Sequence, residues 1–227
     1  MKVLLTGARG FLGRHVFEML SQRGIDTVTV GRTQTLPGAF IRADLLDADA
    51  IDKVVAEAQA THLLHIAWYV EHGQYLQAPV NFRWAESTLR LTEAFCKSGG
   101  QGVVAAGTCF EYARSDAPAQ EDTASLRPDT LYGAVKDATR RLVMAACAHY
   151  RVDCAWARIY LPYGGGEDSR RLIPSLMAAL TGARPPFGVN RGARRDFLHA
   201  ADVAGAFIAL LTAGTGVYNI ASGEGVA

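Results

Sequence analysis

Thr6-Gly7-Ala8-Arg9-Gly10-Phe11-Leu12-Gly13 decides how this chain is read. Its three glycines, three apart, stand directly behind the apolar run Val3-Leu4-Leu5 and ahead of the helical pattern Phe11, Leu12, Val16, Met19, Leu20. A strand that turns sharply into a helix, with no β-carbons at the turn, lets backbone N–H groups and the positive end of the helix approach a pyrophosphate. The glycines alone are a weak signal; their position is the strong one. The helical pattern stops at Gly24 and a second apolar run, Thr27 to Val30, follows at once, as a strand–turn–helix–strand unit requires.

Working outward, apolar runs at 2–6, 26–30, 39–42, 61–67, 102–106 and 153–159 alternate with helical patterns near 11–23, 47–59, 80–98 and 130–150. That alternation predicts an α/β fold, a doubly wound parallel sheet of Rossmann type with helices on both faces. Residues 1–160 form the expected dinucleotide-binding domain. Residues 161–227 form a small substrate-facing lobe interleaved with the last sheet elements: a glycine loop at 164–166, a helix near 169–181, a helix at 201–212 and a strand at 216–220. In the helix at 80–98, Trp84, Thr88, Leu91 and Phe95 make one apolar stripe, and Phe82, Ala85, Leu89 and Cys96 make another. Two stripes call for two partners, the sheet and a second subunit, so a homodimer through the helices near 80–98 and 130–150 is expected.

With 227 residues, 49% hydrophobic and 20% charged, the chain can bury one sizeable core, and a net charge of +1 gives no field suited to nucleic acid or a membrane surface. Its four cysteines form no CxxC pair and read as reduced thiols. The start lacks a signal-peptide pattern and no apolar run reaches spanning length, so the sequence reads as cytoplasmic. The histidines show no paired metal spacing, and no metal site is expected. His62 and His65 flank a buried run and read as packing in the core or the cofactor pocket.

Tyr132 and Lys136 lie four apart in a helical pattern, one turn separated on one face. An ammonium one turn from a phenol favours the phenolate, so the pair suits a tyrosine that exchanges a proton with a carbinol oxygen. Thr108 follows the buried run 102–106, at the carboxyl end of a strand where ligands bind in open α/β sheets, and can hydrogen-bond the same oxygen. A threonine there can also simply satisfy loop backbone.

These motifs, together with Asp44-Leu45, Arg158, Tyr163-Gly164 and Arg195-Asp196-Phe197-Leu198-His199 with Asp202-Val203-Ala204, resemble the extended short-chain dehydrogenase/reductase family over essentially the whole chain. Its members include nucleotide-sugar epimerases, dehydratases and 4-ketoreductases. The resemblance implies Tyr132 as general acid/base, Lys136 as the residue that binds the nicotinamide ribose, and Thr108 as polariser of the substrate oxygen. It further implies that Gly7, Gly10, Phe11, Leu12 and Gly13 hold the dinucleotide phosphates, that Asp44 and Leu45 meet the adenine, and that Ala67 lies beside the cofactor, while Arg9 in the glycine turn can add to a 2′-phosphate pocket. Arg195 would reach the substrate diphosphate, with a surface ion pair to Asp196 as the alternative. Trp68 either lines the substrate cleft or covers the sheet end.

Dehydratases of that family follow the catalytic threonine with two acidic residues, where this chain has Cys109 and Phe110, so dehydration is not expected. Cys109 reads as packing. The remaining readings are a 4-ketoreductase of a nucleotide-activated sugar, favoured by the stretch Gly107 to Tyr112, an epimerase using the same Thr-Tyr-Lys set, and a non-catalytic dinucleotide-binding protein. At the end of the second strand, where an acidic residue would hold the ribose hydroxyls of NAD, Gly31-Arg32-Thr33 carries none. Arg32 can pair a 2′-phosphate, which puts NADP(H) ahead of NAD(H). Family members continue past the strand that Val217 to Ile220 resembles, so the resemblance also implies either a shortened chain or an incomplete substrate lobe.

Overall fold

The computed structural model of the chain describes residues 1–115, 117–190 and 192–227. Seven parallel strands make the main sheet: β1 (Lys2–Thr6), β2 (Asp26–Gly31), β3 (Ala39–Arg42), β4 (His62–His65), β5 (Gly102–Thr108), β6 (Asp153–Ile159) and β9 (Gly216–Ile220), in the order β3-β2-β1-β4-β5-β6-β9. The order turns back between β1 and β4, which opens a crevice at their carboxyl ends. A second, three-stranded sheet of β7 (Leu161–Tyr163), β8 (Arg195–His199) and β10 (Gly225–Val226) stands beside it. The expected Rossmann-type α/β fold is what the chain adopts.

Two cores sandwich the main sheet. On one face Leu4, Val28, Leu63, Val103 and Trp156 pack with α2 (Ala48–Ala58), α3 (Val80–Lys97) and α4 (Leu131–Tyr150). On the other, Val3, Leu5, Leu64, Val104 and Ala155 pack with α1 (Phe11–Gln22) and α6 (Ala200–Ala213). Alternate strand residues thus feed opposite cores, the pattern of a sheet covered on both sides.

Two strand ends differ from the sequence reading, and both differences shape the crevice. The apolar run at 61–67 leaves the ladder after His65, because the N–H groups of Ile66 and Ala67 both donate to the Thr6 hydroxyl at 3.1 Å. The run at 102–106 instead continues to Thr108, held by pairing of Gly107 with Arg158 and Thr108 with Ile159. Among the described residues no helix is long and apolar enough to cross a membrane.

Candidate active site

The glycine turn is built to bring backbone close to backbone. Gly7 has φ +73°, and a β-carbon there would stand 2.7 Å from the Ala67 nitrogen; one on Gly13 would collide with the Gly7 carbonyl oxygen. Both positions therefore exclude a side chain, and α1 is drawn onto the ends of β1 and β4. Gly10 caps α1 with no side-chain hydrogen bond, so the N–H groups of the first turn stay open toward the crevice. A cradle of this shape fits a dinucleotide pyrophosphate.

One cavity of about 770 Å³ runs from this turn to the carboxyl ends of β4 and β5. Gly7, Arg9, Gly10, Phe11, Leu12, Gly13, Arg32, Asp44, Leu45, Ala67, Trp68, Thr108, Tyr132 and Lys136 all line it. Arg195 is absent from that wall. It sits on β8 in the second sheet, where it donates to the Ala193 carbonyl. Its surface ion pair with Asp196 does not form either: neighbouring strand residues point to opposite faces, and Asp196 accepts instead from Ser222 and Gly223. Besides Arg9 and Arg32, the wall carries the guanidinium of Arg171, just ahead of α5 (Leu172–Leu180). Its Nε pairs with Glu167, whose second carboxylate oxygen is buried with no partner among the described residues.

Tyr132 enters the cavity because α4 starts where it does. Thr130 caps the helix by accepting from Gly133 N–H at 3.1 Å, and the Tyr132 N–H donates to the Leu76 carbonyl at 3.0 Å. The phenol ring is buried edge-on among Trp68, Tyr75 and Phe110, with centroids 5.0–6.5 Å away. Burial pushes its proton affinity above the usual phenol range, with Tyr75 adding to the rise and the Thr108 side chain opposing it. The expected acidification by Lys136 is not what governs the phenol here. The lysine Nζ turns away to donate to the Ala106 carbonyl at 2.8 Å, and burial pulls its own pKa down to about 7.

Thr108 caps the loop that follows it and stands beside Tyr132. Its hydroxyl accepts from Phe110 N–H at 3.3 Å, capping the 3-10 turn Cys109–Glu111, and it lies against Tyr132. Cys109 is half-buried, and burial pushes its thiol up to about 12, so it is no base at neutral pH. His65 is a core histidine between the Thr6 and Thr88 hydroxyls, its pKa depressed to about 3 by burial.

Behind Thr108 lies a feature that the sequence motifs did not announce. Glu111, fully buried, accepts from the Thr108 N–H and Trp156 Nε1 on one oxygen, both at 2.9 Å, and from Arg158 Nε on the other at 2.7 Å. Arg158 also donates to the Tyr112 hydroxyl, which donates onward to Asn219.

Residues 3–221 match the model of the NAD dependent epimerase/dehydratase family. The UDP-glucose 4-epimerase of Azospirillum brasilense is 27% identical over 92% of this chain and 68% of its own length; UDP-glucose 4-epimerase 2 of Oryza sativa subsp. japonica is 27% identical over 98% and 66%. The chain thus spans about two thirds of the length of these relatives. Among solved structures, MoeE5 in complex with UDP-glucuronic acid and NAD is 29% identical with a TM-score of 0.84, covering 100% of this chain and 78% of that one. The Thermus thermophilus UDP-glucose 4-epimerase complex with NAD is 25% identical with a TM-score of 0.82, covering 99% and 79%. By its sequence, its sheet order and its glycine cradle, the chain belongs to an enzyme family, the NAD dependent epimerase/dehydratase family.

Proposed function

We propose that the chain carries out dinucleotide-dependent redox chemistry at a carbinol carbon of a nucleotide-activated sugar, in the form of 4-epimerisation of a UDP-sugar. The observation that carries this reading is a single cavity joining the phosphate cradle to the Thr108–Tyr132–Lys136 set. When bound, a nicotinamide supplies and accepts the hydride. Tyr132 holds or releases the proton at its phenol oxygen and Thr108 orients the reacting oxygen, while the Lys136 ammonium, held at the Ala106 carbonyl, adds positive charge through space beside that of the oxidised cofactor. Arg171 offers the substrate diphosphate a charge-assisted partner at the cavity wall.

The relatives named above support epimerisation over 4-ketoreduction, because an oxidation followed by re-reduction needs the same three side chains and no net reductant. The stretch Gly107 to Tyr112 supports 4-ketoreduction as the second reading. Incubation with UDP-glucose and NAD separates them: UDP-galactose forms without net change in NADH if the chain is an epimerase. Stoichiometric NADPH oxidation with a 4-keto sugar nucleotide, and no interconversion of UDP-hexoses, would replace that reading with the reductase.

Arg32 supports access for NADP(H) beside the NAD held by the neighbouring structures. It is exposed at the mouth of the cavity, its carbonyl accepts from Arg42, and no carboxylate ends β2. Arg32→Ala is expected to raise the NADPH dissociation constant about tenfold, the loss of one charge-assisted bond, while leaving that of NADH nearly unchanged. Equal effects on both would remove Arg32 from the cofactor site.

The chain also forms a homodimer in this reading. Of the second stripe of α3, Cys96 is buried against Cys147, Ala85 and Leu89 are half-buried, and Phe82 is 60% exposed; Leu142 on α4 is 51% exposed. Sedimentation at micromolar concentration should show a dimer that Phe82→Asp/Leu142→Asp converts to monomer. A wild-type monomer would end this assignment.

A further inference from the structure

Lys136 is a buried cation with few conventional partners. Among the described residues its Nζ makes one hydrogen bond, to the Ala106 carbonyl, and the carboxylate that favours its charge, Glu111 in the 3-10 turn, acts through space. The other titratable groups around it are Tyr132 on its own helix, one turn back, and His65 on β4, which burial keeps neutral. What lies directly against the ammonium is an indole: Nζ stands 3.7 Å from the centre of the Trp68 ring. The Trp156 ring is farther off at 5.8 Å.

Trp68 is fixed in that place. Its Nε1 donates to Asn81 Oδ1 at 2.7 Å, and the fully buried Asn81 is itself locked by donating Nδ2 to the carbonyls of Tyr75 and Ala78 at 2.7 and 2.9 Å. A tryptophan face attracts a cation most strongly when the cation has lost its water. A carboxylate in the same place would stabilise the ammonium too, but would cancel the positive field that Tyr132 needs. An aromatic face stabilises the cation while leaving its charge unneutralised.

We propose that Trp68, clamped by Asn81, is the positioning residue that keeps Lys136 an ammonium beneath Tyr132. This gives Trp68 a task apart from lining the substrate cleft. Its catalytic consequence rests on Tyr132 being the proton shuttle; the state of Lys136 itself does not.

The chain has four lysines, so lysine labelled with carbon-13 at Cε gives four signals, and Lys136 can be titrated by NMR with neither cofactor nor substrate present. The wild-type Lys136 methylene protons should show an upfield ring-current shift. In Trp68→Leu, which keeps apolar bulk without a π face, that shift should vanish and the Lys136 midpoint should fall by about one pH unit. Trp68→Phe should fall between the two, and Asn81→Ser should lower the midpoint by releasing the indole. Should Trp68→Leu fail to fold, Trp68→Phe decides: a lowered midpoint supports the proposal and an unchanged one overturns it. Wild type without a ring-current shift, or Trp68→Leu titrating with wild type, also overturns it and makes Trp68 a cleft wall. A shifted titration in a chain that turns over no sugar nucleotide would sustain the role of Trp68 while ending the epimerase reading.

Discussion

Tyr132→Phe is expected to lower turnover of the sugar nucleotide by about 10²–10⁴-fold while leaving the fold and the dinucleotide affinity in place. The substitution removes one oxygen from a ring whose packing is aromatic: Trp68, Tyr75 and Phe110 meet its edge and faces, and none of those contacts uses the hydroxyl. The phosphate cradle lies at the other end of the cavity and is made of backbone. Loss of rate without loss of binding is therefore the signature of a proton shuttle. Burial by itself holds the phenol in its neutral form, so a catalytic phenolate depends on positive charge gathering around it, from Lys136 and from the oxidised cofactor. Rates from purified protein, set beside dinucleotide titrations of both variants, check this. Turnover that survives Tyr132→Phe would remove the residue from the chemistry, and loss of dinucleotide binding would make its role structural.

How much of this was legible beforehand follows from the range of the interactions. Gly7 and Gly13 are read from sequence because the contacts that require them are made within the turn and with the adjacent strand end. Tyr132 and Lys136 are read because helical geometry alone puts residues four apart on one face. Spacing could not show where the lysine ammonium would go. Its partners, Ala106 and Trp68, come from two other strand ends, and they draw it from the phenol it was expected to acidify. Arg195 stands outside the cavity wall for a like reason: its motif is local, but the face that β8 presents is set by pairing with β7 and β10. Arg171 and Glu167 carried no motif of their own. Glu111 was visible only as one letter of a loop, since its partner Arg158 lies 47 residues away.

That buried pair leads to the largest expected effect on stability. Glu111→Leu should destabilise the chain by about 3–5 kcal/mol, measured as a lower urea midpoint at unchanged slope. The loss is large because three donors lose an acceptor at once: the Arg158 guanidinium, Trp156 Nε1 and the Thr108 N–H. Arg158 is fully buried, so water cannot take the place of the carboxylate, and the unpaired charge dominates the cost. Removing that charge as well, in Glu111→Leu/Arg158→Met, should restore part of the stability. The restoration stays incomplete, because each of the two neutral donors still left unpaired costs about 1–3 kcal/mol. A single variant as stable as wild type, or a double variant no better than the single, would show that the pair does not brace this end of the sheet. Turnover tells a different part of the story. Glu111 holds the backbone N–H of Thr108, so the double variant should regain stability faster than activity, its cavity floor folded but the hydroxyl of Thr108 no longer fixed against Tyr132. A double variant that recovers both in step would place the pair in the scaffold alone; separation of the two makes Glu111 the group that translates a buried ion pair into the aim of the Thr108 hydroxyl.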